Sequence, residues 1–371
     1  MNPRSDLHLR VGRLRQVMQD AELDALIVNH PANRRYLSGI PASDPQLGET
    51  PGWLVIGNDS AYALISSSNY AEAREQAPHL QVRELEAPIA RIVAQHTAGL
   101  INQEKWRRIG FEATAMSFFW YEGVRQALDS GRVLLPQENL VEGLRVVKDE
   151  REVKAMSRAG AITAAAFTRA MEKARAGMTE LELAWELEKA VRELGGDGLA
   201  FETIVAAGAG AAVPHHTPED RPIAVGESVI IDMGASVDGY ASDMTRTICL
   251  GQASPKLKAM HQLVEEALAG AVAHARAGAT GADSCQGSDQ VMSQSPYHDP
   301  CEAGIGHSIG LAVHEPPDLK RDQLELKSGM IFAIEPSAYI SGWGGVRLED
   351  TVLVTPEGGK RLTPAAFRLE W

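Results

Sequence analysis

Gly226-Glu-Ser-Val-Ile-Ile-Asp232 and Gly329-Met-Ile-Phe-Ala-Ile-Glu335 follow one pattern: a glycine, an apolar run, and a carboxylate six positions after the glycine. Short Ile-rich runs bounded by turn residues predict buried strands. Upstream of each, Ala174-Arg-Ala-Gly-Met-Thr179 returns as Ala275-Arg-Ala-Gly-Ala-Thr280, each copy following a helix-like stretch. The two pairs of segments are offset by nearly the same length of chain. Two copies of a helix–helix–strand unit make a pseudo-symmetric domain whose acids meet at its centre.

Each strand then turns back on itself. Asp238-Gly239 supplies a turn between Asp232 and Asp243, the latter in Ser242-Asp-Met-Thr-Arg-Thr-Ile248. Side chains alternate faces along a strand, so a loop of two or of four residues leaves Asp232 and Asp243 on one face, directly or diagonally opposed. In the second copy the glycine-rich Gly342-Trp-Gly-Gly345 separates Glu335 from Glu349, which sits in Val346-Arg-Leu-Glu-Asp-Thr-Val352. An ionised carboxylate buried without a partner costs several kcal/mol or shifts its pKa upward. Four acids in apolar strands therefore call for a cation. His307, in Gly304-Ile-Gly-His-Ser-Ile-Gly310, adds an imidazole among glycines that allow close approach. Imidazole with carboxylates suits manganese, cobalt, iron or zinc. Four carboxylates balance two divalent ions.

Working outward, a helical stretch runs from about Val146 to Ala176 and is expected to stop at Gly177. Thr179-Glu-Leu-Glu182 fits a capping box opening a second helix that ends by Gly195-Gly196. Before this the texture is mixed α/β. Residues 8–22 read as a helix carrying Leu9, Leu14, Val17 and Met18, Ala25–Val28 as a buried strand, and 52–56 with 61–65 as a hairpin. No catalytic constellation precedes residue 150. The predicted division is 1–147 and 148–371, in keeping with a length too great for one typical core.

Composition narrows the partners. Asp plus Glu number 49 against 36 Lys plus Arg, and a net charge of -13 repels phosphate backbones and anionic lipid, so neither nucleic acid nor membrane is an expected partner. MNPRSDLHLRVGRLRQ has no apolar leader, and no stretch approaches the roughly 18 apolar residues of a membrane span. Cys249, Cys285 and Cys301 are odd in number and lack CxxC spacing, against a disulfide framework or a zinc knot. A cytoplasmic protein is expected.

Two motifs mislead. Gly306-His-Ser-Ile-Gly310 matches the G-x-S-x-G nucleophile elbow around Ser308, but that elbow needs a strand before it and a helix after it. Pro300-Cys-Glu-Ala-Gly304 is a poor strand and Pro316-Pro317 ends any helix early. Gly208-Ala-Gly210 lacks the third glycine of a dinucleotide fingerprint, and no Walker A loop exists.

Taken as a set, the Asp232 segment, Ser242-Asp-Met-Thr-Arg-Thr247, Gly306-His307, His314-Glu-Pro316, Glu335-Pro336 and Arg347-Leu-Glu-Asp350 resemble the pita-bread metallopeptidases: methionine aminopeptidase, aminopeptidase P, prolidase and creatinase. The resemblance is close over roughly 150–371. The first 145 residues are similar in length and texture to the N-terminal domain of the proline-specific and creatinase branch. It implies an α/β (α+β) chain: a creatinase-type N-terminal domain followed by a pseudo-twofold pita-bread catalytic domain. All five family ligand positions are filled, by Asp232, Asp243, His307, Glu335 and Glu349. By this resemblance Asp243 and Glu349 bridge two divalent metals, manganese foremost. Asp232 completes one shell and His307 with Glu335 the other, and a bridging hydroxide attacks the scissile carbonyl. His215 matches a histidine placed to stabilise the tetrahedral intermediate or contact substrate, with His216 an adjacent candidate. His314 matches the second such histidine, and Arg347 an arginine that orients Glu349 or a nearby acid.

The implied activity is hydrolysis of the Xaa–Pro bond in short proline-containing peptides or dipeptides, by a homodimer. Three departures stand out. Ser308 follows the ligand histidine, and Ser337-Ala338 follows Glu335-Pro336, where glycine is usual. Asp318 lies near the place where some prolidases carry an arginine for the substrate carboxylate, with Arg321 close by. The missing arginine counts against a strict dipeptidase. The same fold also hosts metallohydrolases and lyases of small non-peptide substrates, metal-free amidinohydrolases that lose the acidic ligands, and non-catalytic binding modules. None of the acids is lost here.

Overall fold

In the computed structural model the described residues are 6–41, 50–86, 89–296, 304–320 and 322–371. Cys301 and Arg321 lie outside them. The chain forms two compact units, Met1–Arg145 and Val146–Trp371.

The first unit begins with helix α1 (Leu7–Asp20), strand β1 (Ala25–Val28) and helix α2 (Pro31–Ser38). The hairpin β2 (Gly52–Gly57) and β3 (Ala61–Ser66) follows, then α3 (Ser67–Gln76), β4 (Gln81–Leu85) and α4 (Ile89–Glu104). It closes with β5 (Arg108–Glu112), α5 (Phe118–Ala127), β6 (Val133–Gln137) and α6 (Leu140–Arg145). The six strands form one sheet in the order β4-β3-β2-β1-β5-β6. The β2–β3 hairpin is antiparallel as expected, while β4, β5 and β6 join in parallel after helical crossovers. All four residues of β1 are buried. The apolar face of α1 is Leu7, Val11, Leu14 and Met18, at spacings of three and four, and Leu9 is half exposed on the other side. Of the residues expected at helical spacing, Leu14 and Met18 lie on this face and Leu9 does not.

The second unit opens with α7 (Glu150–Met171) and α8 (Glu180–Glu193). Asp149 and Glu152 close a capping box at the start of α7, and Thr179 with Glu182 does the same for α8. Against expectation α7 ends at Met171 rather than near Ala176. Gly177 N–H instead donates to Ile223 O at 2.9 Å, and Ile223 N–H to Met178 O at 2.8 Å, so pairing with a distant segment overrides local helix propensity.

Then come β7 (Gly198–Leu199), β8 (Ile204–Ala207), β9 (Val229–Met233), β10 (Ala235–Val237), β11 (Tyr240–Ala241) and β12 (Met244–Ile248). The second copy consists of α9 (Pro255–His274), α10 (Gly281–Met292), β13 (Gly306–Ser308), β14 (Glu315–Leu319), β15 (Ile331–Ile334), β16 (Ser337–Ile340), β17 (Gly344–Arg347), β18 (Asp350–Val354) and β19 (Gly359–Arg361). Thr280 caps α10 as Thr179 caps α8. Helix pair followed by antiparallel strands thus occurs twice, as the internal repeat predicted.

Each copy contains a long hairpin that leaves one sheet and continues in another without losing register. Val229 to Met233 pair with Ile248 to Met244, and the same register carries on as Ser236 opposite Ala241 and Val237 opposite Tyr240. The loop is therefore the two residues Asp238-Gly239, both at positive φ, which matches the right-handed strand twist. In the second copy Ile334 faces Asp350 in one sheet and Ser337 faces Arg347 in the next. The four acids sit at or beside these two breaks.

Candidate metal centre

At the first break the chain approaches its own partner strand closely. A Cβ on Gly234 would lie 2.0 Å from Ser242 O, so only glycine lets β9 pass into β10 here. Asp232 pairs across with Thr245, placing Asp243 diagonally opposite, the second of the two geometries anticipated. At the second break Glu335 and Glu349 fall opposite one another in the common register. His307 enters from β13, next to β15, where Gly306 permits the close approach: a Cβ there would meet Ala333 O at 1.9 Å.

Asp243, His307 and Glu349 are buried, and one ligand atom from each lies within 4.8 Å of the others. His307 Nε2 is 3.8 Å from Asp243 Oδ2 and 3.7 Å from Glu335 Oε1. Asp232 lies close enough to Asp243 to raise its pKa. All five expected residues therefore line one cleft of about 360 Å³, together with His215, His216, His314 and Arg347.

The electrostatics are those of a cation site. Burial first, and then repulsion from Glu349, Asp232 and Glu335, holds the Asp243 carboxyl well above its ordinary range. Glu349 is raised in the same way by burial and by Glu335 and Asp232. Glu335 is raised by burial, against the pull of Arg347. His307 is pushed down by burial, which favours the neutral ring that ligates metals. Asp232 Oδ1 and Asp243 Oδ1 are buried without a hydrogen-bond partner. A divalent ion would satisfy both oxygens and remove the repulsion, so the donor set fits one.

Surrounding groups hold the acids in place. Arg347 donates through Nη2 to Asp232 Oδ2 at 2.6 Å, through Nε to Thr245 Oγ1 at 3.2 Å, and through Nη1 to Pro214 O and Tyr339 Oη. Of the two partners anticipated for it, the acid it touches is Asp232. Thr245 passes the contact on, donating to Glu349 Oε2 at 2.6 Å. Behind them, buried Arg246 donates to Glu349 O and to Asp350 Oδ1. The roles of Thr245 and Tyr339 were missed in the sequence. Thr245 lay inside a quoted motif, but nothing in a linear spacing tells which hydroxyl faces an acid.

The histidines separate. His216 Nε2 lies 2.8 Å from Oε2 of Glu180, a fully buried acid that also accepts from the Ala207 and Glu219 amides. It is a strut between α8 and the loop. His215 is exposed to the cleft and near enough to Glu335 to lower its pKa, as is His314. The His314 ring packs against His307 at a tilt of 54°, with centroids 4.3 Å apart. Ser308 is a buried strand residue with no helix after it, so the nucleophile elbow is absent. Asp318 pairs with Lys320 at 2.6 Å. Cys249 and Cys285 are buried.

A pseudo-twofold unit with four acids and a histidine converging in one cleft defines the pita-bread class of metal-dependent hydrolases. Comparison with known proteins agrees. Residues 154–356 match the model of metallopeptidase family M24, and residues 10–147 that of the creatinase/prolidase N-terminal domain. The chain belongs to metallopeptidase family M24, whose members use divalent metal ions. It is 32% identical to an uncharacterized peptidase of Bacillus subtilis, over 96% of this chain and 98% of the relative. It is 30% identical to the Xaa-Pro dipeptidase of Pyrococcus furiosus, over 95% and 97% respectively. Among solved structures it is similar to an Xaa-Pro dipeptidase from Bacillus anthracis, with TM-score 0.89 and 30% identity over 98% of this chain and 100% of that one. It is also similar to an X-Pro aminopeptidase from Thermotoga maritima, with TM-score 0.84 and 28% identity over 97% and 99%.

Proposed function

We propose that this chain is a proline-specific metallopeptidase that hydrolyses the Xaa–Pro bond at the N-terminus of short peptides or in dipeptides. The observation that carries the reading is the convergence of Asp243, His307 and Glu349 within 4.8 Å, with Asp232 and Glu335 in the same cleft. The Xaa-Pro peptidases among its relatives support it over most of both chains.

In this reading Asp232, Asp243, His307, Glu335 and Glu349 hold two divalent ions, manganese being well matched to a set of carboxylates with one imidazole. Such ions, when bound, polarise a carbonyl oxygen and make water a stronger acid near neutral pH. The chain's own groups do the rest. Arg347 holds Asp232 aimed into the cleft, and Thr245 aims Glu349 by its hydroxyl. His215 and His314 stand on either part of the cleft wall where a substrate carbonyl and its developing charge would be met. At position 318 a carboxylate already engaged by Lys320 offers nothing to a substrate carboxylate, which favours peptides that continue beyond proline.

The division at 147/148 into a creatinase-type domain and a catalytic domain belongs to the same proposal, as do a homodimer and a cytoplasmic setting. The reading is tested by hydrolysis of Ala-Pro and Ala-Pro-Ala with EDTA-stripped protein, with and without manganese. Cleavage restored by the metal, faster on the tripeptide, is expected. Two bound metals with neither substrate cleaved would sink the peptidase and leave a hydrolase or lyase of a small non-peptide molecule.

A further inference from the structure

Ser308, the residue standing where glycine is usual beside the ligand histidine, belongs to a buried cluster that the chemistry above does not use. Its hydroxyl accepts from Lys148 Nζ at 3.2 Å and donates to Ile331 O at 3.4 Å on β15. The same ammonium lies 3.5 Å from Glu315 Oε2, with both side chains almost wholly buried, 1% and 3% exposed. Glu315 Oε1 in turn accepts from Ala312 N at 3.0 Å. The carboxylate packs against Gly310, where a Cβ would come within 2.8 Å of both its oxygens. Glu315 thus closes the loop that carries Val313 and His314 into the cleft.

This loop needs such a clasp. The β13–β14 ladder slips between His307 and Ser308, so that His307 faces Asp318 while the next residue faces Glu315. Past that slip the ladder no longer dictates where His314 stands. A buried charge pair can, because pulling opposite charges apart in a low-dielectric interior is costly.

We propose that Lys148 is a positioning residue, which sets the stance of His314 against His307 by clasping Glu315 on one side and Ser308 on the other. The proposal rests on the reading of His314 as a substrate-contacting histidine. Lys148 acts only through that ring, so its effect should vanish when the ring is gone.

The test is a double-mutant cycle on the full, manganese-loaded chain with Ala-Pro-Ala as substrate. Because K148M alone removes one half of a buried charge pair and can unfold the chain, K148M/E315Q removes both charges together, and S308G removes only the hydroxyl. In the wild-type background K148M/E315Q should lower kcat/KM about 10- to 100-fold, the range seen for groups that orient others, with S308G giving a smaller loss. In an H314A background K148M/E315Q should cost less than about twofold. Metal content should stay at the wild-type level, and the His314 ring signals in a 15N-labelled, metal-free chain should shift. Equal losses in both backgrounds would mean a merely structural pair and overturn the proposal. H314A with wild-type kcat/KM would instead overturn the reading of His314 on which it rests.

Discussion

Arg347 carries four polar contacts at once, and its worth lies in the one to Asp232. Burial opposes its charge, but Asp232, Tyr339, Glu349 and Glu335 together hold its pKa above the ordinary value, so it stays a cation. Arg347→Met keeps the side-chain bulk and deletes the charge and the fork. Metal affinity measured by titration calorimetry on stripped protein should fall about 10- to 100-fold. An unchanged affinity would show that Asp232 needs no orientation. In the first unit, Glu112 carries a pH consequence. It accepts from the Asn29 and His30 amides and from Asn33 Nδ2, each at 2.6 Å, yet burial pushes its pKa up to about 7. A carboxyl whose folded pKa exceeds its unfolded one stabilises the fold below the unfolded value, and that stabilisation drains away as pH rises through the folded value. The contribution should therefore be full below about pH 4.5 and be lost through pH 7, about 3 kcal/mol in all. Urea midpoints of the wild type and Glu112→Gln between pH 4 and 8 check it: the wild type should lose stability relative to the variant as pH rises.

At the scale of elements, the two broken hairpins make the site. A flat, unbroken hairpin would spread Asp232 and Asp243 along one sheet face. The break at Gly234 turns the strands so that the acids on either side converge. Gly234→Ala should destabilise the chain by about 2–3 kcal/mol through the clash with Ser242 O, measured by urea unfolding, and an ordinary midpoint would show that the strands can part without cost. Helix entry is set more cheaply. Thr280 Oγ1 accepts from Asp283 N at 3.2 Å, and Asp283 Oδ2 accepts from Thr280 N at 2.7 Å. Thr280→Ala should cost about 1 kcal/mol. The apolar runs, the turn glycines and the capping box at Thr179 were legible in the sequence because they are local. The early end of α7 was not, because its cause, pairing with Ile223, lies outside any local window.

For the whole molecule, the decisive quantity is charge stored in one place. Asp243, Glu349 and Glu335 are each raised first by burial and then by repulsion from neighbouring acids of the cleft, and a bound cation relieves that repulsion. Stripping the metal should therefore abolish hydrolysis and also lower stability. At a metal concentration 100 to 1,000 times Kd the loss is about 3–4 kcal/mol. Calorimetry with EDTA and with manganese should move the transition of the unit Val146–Trp371 and leave that of Met1–Arg145 in place. A transition insensitive to metal would mean that the acids are satisfied without it.

What the linear chain determined is the set of parts: a repeated helix–helix–strand unit, an acid ending or following each strand, a histidine among glycines, and an α/β segment ahead of them. These follow from periodicity and turn chemistry, which act over a few residues. Only the tertiary structure decided which polar groups serve which acids. Arg347 chose Asp232, Thr245 chose Glu349, His216 was claimed by Glu180, and Lys148 reached across to Ser308 and Glu315. Those choices depend on where strands far apart in the chain come to lie, and a hydrogen bond of about 3 Å tolerates no error that a sequence pattern could resolve.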